Sequence, residues 1–279
     1  MDVVRTRFGD VEYRLAGTGS PVALFQYGGH CSAEVRLGED YFLNQGFTIL
    51  AVSRPGYGRT PLRTGAQLPR WADALKELLR HLQIDRVVVV GISAGSRAAL
   101  TLAARHHPLV DKLILQSAVS FAPWPDTRTR VGAYAAFNPL VEGGTWRAVR
   151  LLVEKNPRAV VRWMMSNLST LDAADVVASL SEQQLRELAQ LFAAFRSRRG
   201  FLNDINTAGG DACDVQVPTL IVHSTYDRSV PLSHPRLLAA QIKNSHLFLS
   251  EAESHMLWFS QHYTTVEKVM DRFLDQPRP

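Results

Sequence analysis

The chain has 279 residues, 46% of them hydrophobic and 20% charged, ample for a sizeable buried core and long enough for one large domain or two ordinary ones. Its net charge of +5 raises nucleic-acid binding as a question, but Lys and Arg are scattered among acids, and the tightest basic group, Arg196, Arg198 and Arg199, lacks the interleaved aromatic residues of a strand-binding groove. Two cysteines, Cys31 and Cys213, exclude a disulfide framework, no run approaches the roughly 18 apolar residues of a spanning helix, and residues 1–7 carry no apolar stretch of signal-peptide length, so a cytoplasmic protein without membrane or nucleic-acid partners is expected.

Residues 11–16 and 22–27 read as strands on either side of the turn Gly17-Thr18-Gly19-Ser20-Pro21. Phe47 to Val52 is a further β-favouring run. Trp71, Leu75, Leu78, Leu79 and Leu82 fall at helical spacing with charges on the other face. Arg86 to Ile92 contains four consecutive valines, the continuous β-branched run of a strand buried on both faces. Gly91-Ile92-Ser93-Ala94-Gly95 follows it directly, and an Ala- and Leu-rich helix, Ala98 to Ala104, comes next. Leu113 to Leu115 is another strand. The alternation then breaks, because residues 122–212 carry helical signals and no convincing strand. Asn156-Pro157 is a cap and first-turn pair, and Ser181 with Gln184 has the spacing of a capping box. Thr219 to His223 and His246 to Leu249 are the last strands, and Val266, Val269, Met270 and Phe273 mark a C-terminal helix. This order predicts one α/β domain, residues 1–121 with 213–279, built on a mostly parallel sheet with helices on both faces and interrupted by a helical cap, 122–212.

The Gly-x-Ser-x-Gly pentapeptide gains meaning from its setting between a buried strand and a helix. A serine held in a strained turn there projects its hydroxyl above the sheet, the flanking glycines let strand and helix approach closely, and the helix N-terminus favours developing negative charge. The plainer alternative is a strand-to-helix turn that happens to carry serine.

At these residues the chain resembles the α/β-hydrolase superfamily, and the likeness extends over nearly its whole length. Gln26-Tyr27-Gly28-Gly29-His30 stands where that family has its oxyanion loop, usually beginning His-Gly, so Tyr27 is a departure that bears on the loop's internal hydrogen bonding. Ser53-Arg54-Pro55-Gly56-Tyr57-Gly58-Arg59-Thr60 is similar to the family's P-G-x-G-x-S/T loop. Pro218 to Asp227 is similar to the strand that leads to the acid, and the order Ser, Asp, His is the family's. The resemblance implies an eight-stranded sheet, Ser93 as nucleophile, His255 as base, Asp227 as the residue that orients it, and the backbone N–H groups of Gly29 and Ala94 as oxyanion donors.

A serine hydroxyl is a poor nucleophile without a base in hydrogen-bond reach, and that base needs an orienting group. His255, on the loop after the last strand, is the expected base; a surface histidine ahead of a helix is the alternative. His106 and His107 read as helix-end residues, His223 as a core or backbone-bonded histidine, and His234 as a surface one; His81, His246 and His262 have nothing to recommend them. Asp227 ends a buried strand at the ligand-binding edge of an open sheet, whereas Asp126 is the only acid near the loop after the sixth strand and Asp204 reads as a cap or bridge inside the insertion.

The expected chemistry is acyl transfer through Ser93, with a carboxylic ester or lactone of a bulky apolar small molecule as substrate. A carbon–carbon bond hydrolase or an acyltransferase would use the same residues, and a non-catalytic small-molecule receptor would keep the fold without the reaction. Serine rather than aspartate at the elbow argues against haloalkane dehalogenases and epoxide hydrolases. No ligand cluster or nucleotide fingerprint is present, so neither metal nor organic cofactor is expected. Tyr27, His30, Trp163, Met164 and Phe192 are candidate substrate contacts. Packing of the cap onto itself is the alternative for the last three, and consecutive Trp163, Met164 and Met165 cannot share one face. A monomer or homodimer is expected.

Overall fold

A computed structural model describes residues 1–207 and 210–277. Strands β1 (Asp2–Thr6), β2 (Gly9–Ala16), β3 (Val22–Gln26), β4 (Thr48–Val52), β5 (Val87–Ile92), β6 (Val110–Gln116), β7 (Thr219–Ser224) and β8 (Ser245–Ser250) form one sheet in the order β1-β2-β4-β3-β5-β6-β7-β8. The pairs β1/β2 and β2/β4 are antiparallel and all others parallel. The sheet is therefore mostly parallel and eight-stranded, as expected, with β1 as an edge strand that the apolar pattern does not announce.

Alternation along each strand feeds two separate cores. Phe25, Val88, Val90, Ile114 and Val222 enter a cluster with Tyr41 and Phe42 of α1 (Glu39–Asn44) and Val266, Met270 and Phe273 of α2 (Tyr263–Leu274). Leu24, Val87, Val89, Leu113, Leu115 and Ile221 enter another with Trp71, Leu75 and Leu78 of α3 (Leu68–His81), Ala98 to Leu100 of α4 (Ser96–Arg105) and Leu238 of α5 (Ser233–Gln241). The strands thus bury both faces, which is what the valine run requires.

Between β6 and β7 the described residues form six helices and no strand: α6 (Thr127–Phe137), α7 (Glu142–Lys155), α8 (Pro157–Leu168), α9 (Ala173–Ser179), α10 (Glu182–Ala194) and α11 (Gly200–Asn206). Asn156 caps α8 by accepting from the Ala159 N–H, with Pro157 in the first turn, and Ser181 and Gln184 make both bonds of the capping box of α10. The exposed Asp126 spends its carboxylate on the N-terminus of α6. No helix among the described residues is long and apolar enough to cross a membrane.

Candidate active site

β5, β6, β7 and β8 are parallel neighbours, so the loops after their C-terminal ends lie along one edge of the sheet. Ser93 follows β5 with φ 49°, a left-handed conformation that a non-glycine residue holds only under local constraint. Gly91 and Gly95 supply that constraint. A Cβ on Gly91 would fall 2.7 Å from Ala99 Cβ, and one on Gly95 would fall 2.1 Å from the Gln26 carbonyl oxygen. Only glycine lets the elbow sit this tightly against α4 and β3.

Asp227 follows β7 and is 5% exposed; His255 follows β8 and is 7% exposed, as is Ser93. Nδ1 of His255 lies 2.7 Å from Oδ2 of Asp227. Oδ1 of Asp227 accepts the Val230 N–H at 2.8 Å, which fixes the carboxylate while Oδ2 faces the imidazole. His223 is fully buried beside it; its Nε2 lies 2.9 Å from the Val230 carbonyl and 3.4 Å from Asp227 Oδ2. A carbonyl can only accept, so His223 carries its proton on Nε2. Burial pushes its pKa down, and Asp227 opposes the shift. His223 is thus the backbone-bonded core histidine expected of it.

With Nδ1 turned to Asp227, Nε2 is the nitrogen of His255 left for a substrate-side partner. No hydrogen bond joins it to the Ser93 hydroxyl among the described residues. Hydrogen bonds tie both loops to the segment after β6. Ser117 Oγ donates to the His255 carbonyl at 2.8 Å, and the Val119 N–H donates to the Ser93 carbonyl at 3.2 Å.

The loop after β3 lies over the serine. A Cβ on Gly28 would sit 3.0 Å from Ser93 Cβ and 3.6 Å from its Oγ, and one on Gly29 would strike the Phe201 ring at 2.8 Å. Tyr27, which stands where the related loops have histidine, is 1% exposed and donates its hydroxyl proton to Glu39, itself paired with Arg14. The tyrosine therefore anchors the loop from below. This corrects its expected role, because it has no face left for a substrate.

The other proposed contacts divide by exposure. Phe192 is wholly buried inside the helical layer, so it packs that layer instead of presenting itself. Met164 is half-buried against the same core, Met165 is buried, and Trp163 is 56% exposed on a surface depression of about 730 Å³ with Arg162, Thr170 and Arg228. His30 is half-buried, with Nδ1 2.7 Å from Ser197 Oγ and its ring among Phe137, Trp146, Phe195 and Phe201. That apolar box lowers its pKa to about 3, first through burial and then through the Arg54 charge. His234 corrects another expectation: it is 4% exposed and not on the surface, and its Nδ1 lies 2.8 Å from Ser120 Oγ.

Two buried arginines escape the motif reading. Arg54 binds the carbonyls of Tyr27 and Gly28 and pairs with Asp204. Arg97 donates to the carbonyls of Ser120, Ala122, Asp204 and Thr207. The signal for both was available, an arginine in a segment otherwise too apolar or too tightly turned to face water, but its partners lie up to 150 residues away in sequence.

Known proteins share this architecture. Residues 24–260 match a family model described as alpha/beta hydrolase fold. An uncharacterized hydrolase of Bacillus subtilis, YcgS, is 32% identical over 96% of this chain and 95% of its own. A 2-hydroxy-6-oxononadienedioate/2-hydroxy-6-oxononatrienedioate hydrolase of Pseudomonas putida is 23% identical over 83% of this chain and 79% of its own. Among solved structures, an alpha/beta hydrolase fold protein from Nakamurella multipartita superposes with a TM-score of 0.81 at 25% identity, covering 98% of each chain.

Proposed function

Starting from a chain that belongs to the α/β-hydrolase family and is a hydrolase of that superfamily, we infer that it cleaves carboxylic esters or lactones of apolar small molecules through an acyl-enzyme on Ser93. The observation that carries this reading is the Asp227–His255 bond of 2.7 Å at the sheet edge that also bears the left-handed Ser93.

Ser93 Oγ attacks the carbonyl carbon while its proton passes to Nε2 of His255. The negative charge that gathers on the carbonyl oxygen is met by the N–H groups of Gly29 and Ala94. Collapse of the tetrahedral species breaks the bond to the leaving oxygen, which takes the proton from His255. A water then attacks the acyl carbon as His255 takes its proton; the second tetrahedral species breaks its bond to Ser93 Oγ, which takes the proton back from His255 as the carboxylic acid leaves. Asp227 holds the His255 tautomer and stabilises the imidazolium throughout. Residues 122–212 act as the cap that shapes the acyl or alcohol pocket.

A second reading, carbon–carbon bond hydrolysis, draws on the Pseudomonas putida relative and would use the same side chains. One panel separates the two: p-nitrophenyl esters, lactones and a 2-hydroxy-6-oxo dienoic acid, each with the native protein and Ser93→Ala. At least a thousandfold loss of ester turnover in the variant is expected. Native protein that neither turns over any ester nor is labelled at Ser93 by a fluorophosphonate would overturn the proposal.

A further inference from the structure

The helical layer reaches the loop above Ser93 through a buried polar cluster that the reaction itself does not use. Arg54, in the turn after β4, is 4% exposed. Its Nε donates to the Tyr27 carbonyl at 2.7 Å and its Nη2 to the Gly28 carbonyl at 3.0 Å. The rest of the guanidinium faces Asp204 of α11, forked across both carboxylate oxygens, with Nη2 2.8 Å from Oδ2. The Tyr57 hydroxyl donates to the same Oδ2 at 2.6 Å, and its ring lies 4.9 Å from the guanidinium carbon. Backbones meet here without side chains between them: the Gly200 N–H donates to the Gly56 carbonyl at 3.1 Å, and a Cβ on Gly56 would lie 2.7 Å from the Gly200 nitrogen.

The peptide between Gly28 and Gly29 is trans, so its C=O and N–H point in opposite directions. A Gly28 carbonyl drawn to Arg54 therefore turns the Gly29 N–H away from Arg54. Neither glycine has a side chain that could fix that plane. From α11, Phe201 closes the other side of Gly29 and joins Tyr57, Ala94 and Val119 in one apolar cluster. Both expected oxyanion donors thus rest on the element that Asp204 ties down.

We propose that Arg54, held in place by Asp204 and Tyr57, is a positioning residue that orients the Gly28–Gly29 peptide as an oxyanion donor and makes that orientation depend on docking of α11. The proposal rests on the serine-hydrolase reading of the site.

The test replaces the whole polar cluster by apolar residues of similar size, Arg54→Met with Tyr57→Phe and Asp204→Leu, because a buried ion pair exchanged as a unit usually leaves a folded protein. With p-nitrophenyl butyrate, kcat is expected to fall at least tenfold while KM stays within threefold, since a misplaced oxyanion donor acts on the transition state and not on ester binding. Amide hydrogen exchange over residues 22–31 should speed up at least tenfold while α10 is unchanged. A folded triple variant with kcat within threefold of native and unaltered exchange in that loop overturns the proposal. Should the triple variant fail to fold, Arg54→Lys serves, because one ammonium cannot span two carbonyls and a carboxylate; native kcat in that variant overturns the proposal equally. Failure of native protein to react with the ester or the fluorophosphonate would instead sink the serine-hydrolase reading, and loop exchange would still decide whether Arg54 fixes the loop.

Discussion

Replacing Asp227 by asparagine exposes what the carboxylate does. Both of its oxygens are acceptors in use: Oδ1 takes the Val230 N–H at 2.8 Å, and Oδ2 faces His255 Nδ1 at 2.7 Å and the protonated His223 Nε2 at 3.4 Å. Asparagine has one acceptor and one NH2 group. If its oxygen keeps the Val230 bond, the NH2 group confronts two N–H groups, and His255 resolves the conflict by moving its proton from Nδ1 to Nε2. Nε2 can then no longer accept from Ser93, and the charge that stabilised the imidazolium is gone. A loss of about 10³ to 10⁴ in kcat follows, about 4 to 5.5 kcal/mol of barrier. The folded state keeps most of its bonds, so thermal denaturation should move by only a few degrees, as expected for about 1 kcal/mol in a chain of this size. The assay is steady-state hydrolysis of an activated ester beside a melting curve. A well-folded Asp227→Asn protein that loses less than tenfold in kcat would refute the assignment of Asp227 as the orienting acid.

Gly95→Ala would force a Cβ to within 2.1 Å of the Gln26 carbonyl oxygen and 2.3 Å of that of Tyr27. Both contacts are with backbone, so destabilisation of about 3 kcal/mol or more is expected, read from chemical denaturation. His234 has its pKa lowered to about 4 by burial and then by the Arg97 charge, with His223 pushing the same way and Asp227 against it. A folded-state pKa below the ordinary 6.5 means that the unfolded chain binds the extra proton first, so stability is full above pH 6.5 and falls as the pH drops towards 4. Between pH 7 and pH 5 this one group removes about 2 kcal/mol, and urea denaturation of His234→Gln should show a pH dependence smaller by that amount.

The strands and the elbow were legible because burial on both faces leaves an unbroken apolar record, as in Val87 to Val90, and because glycines at 91 and 95 mark a close approach. β1 left little trace, since only Val4 and Thr6 of its five residues are buried. Arrangement within the helical layer was harder. Trp163, Met164 and Met165 do part company as consecutive helical residues must, one exposed, one half-buried and one buried. Nothing local tells that Phe192 faces other helices rather than a ligand. His234 looked like a surface residue because the polar groups that satisfy it, Ser120 Oγ and its N–H, sit in the segment after β6, 114 positions away. Arg54 and Asp204 were both visible, but a pairing across 150 positions has no periodicity to reveal it.

Among the described residues, the helices between β6 and β7 are fastened to the sheet edge near Ser93 at several places, three of which touch the loops after β3, β4, β7 and β8. Leu168 O accepts the His255 N–H at 2.8 Å, and Ser169 bridges to Asp227. The Arg196 N–H donates to the His30 carbonyl at 2.8 Å, and Asp204 holds Arg54. A lid hung only on its two ends could swing as a unit. These helices cannot lift away without breaking bonds to the loops that carry Asp227, His255 and Gly29. Any opening above Ser93 that leaves these bonds intact is confined to small local displacements between the fastenings.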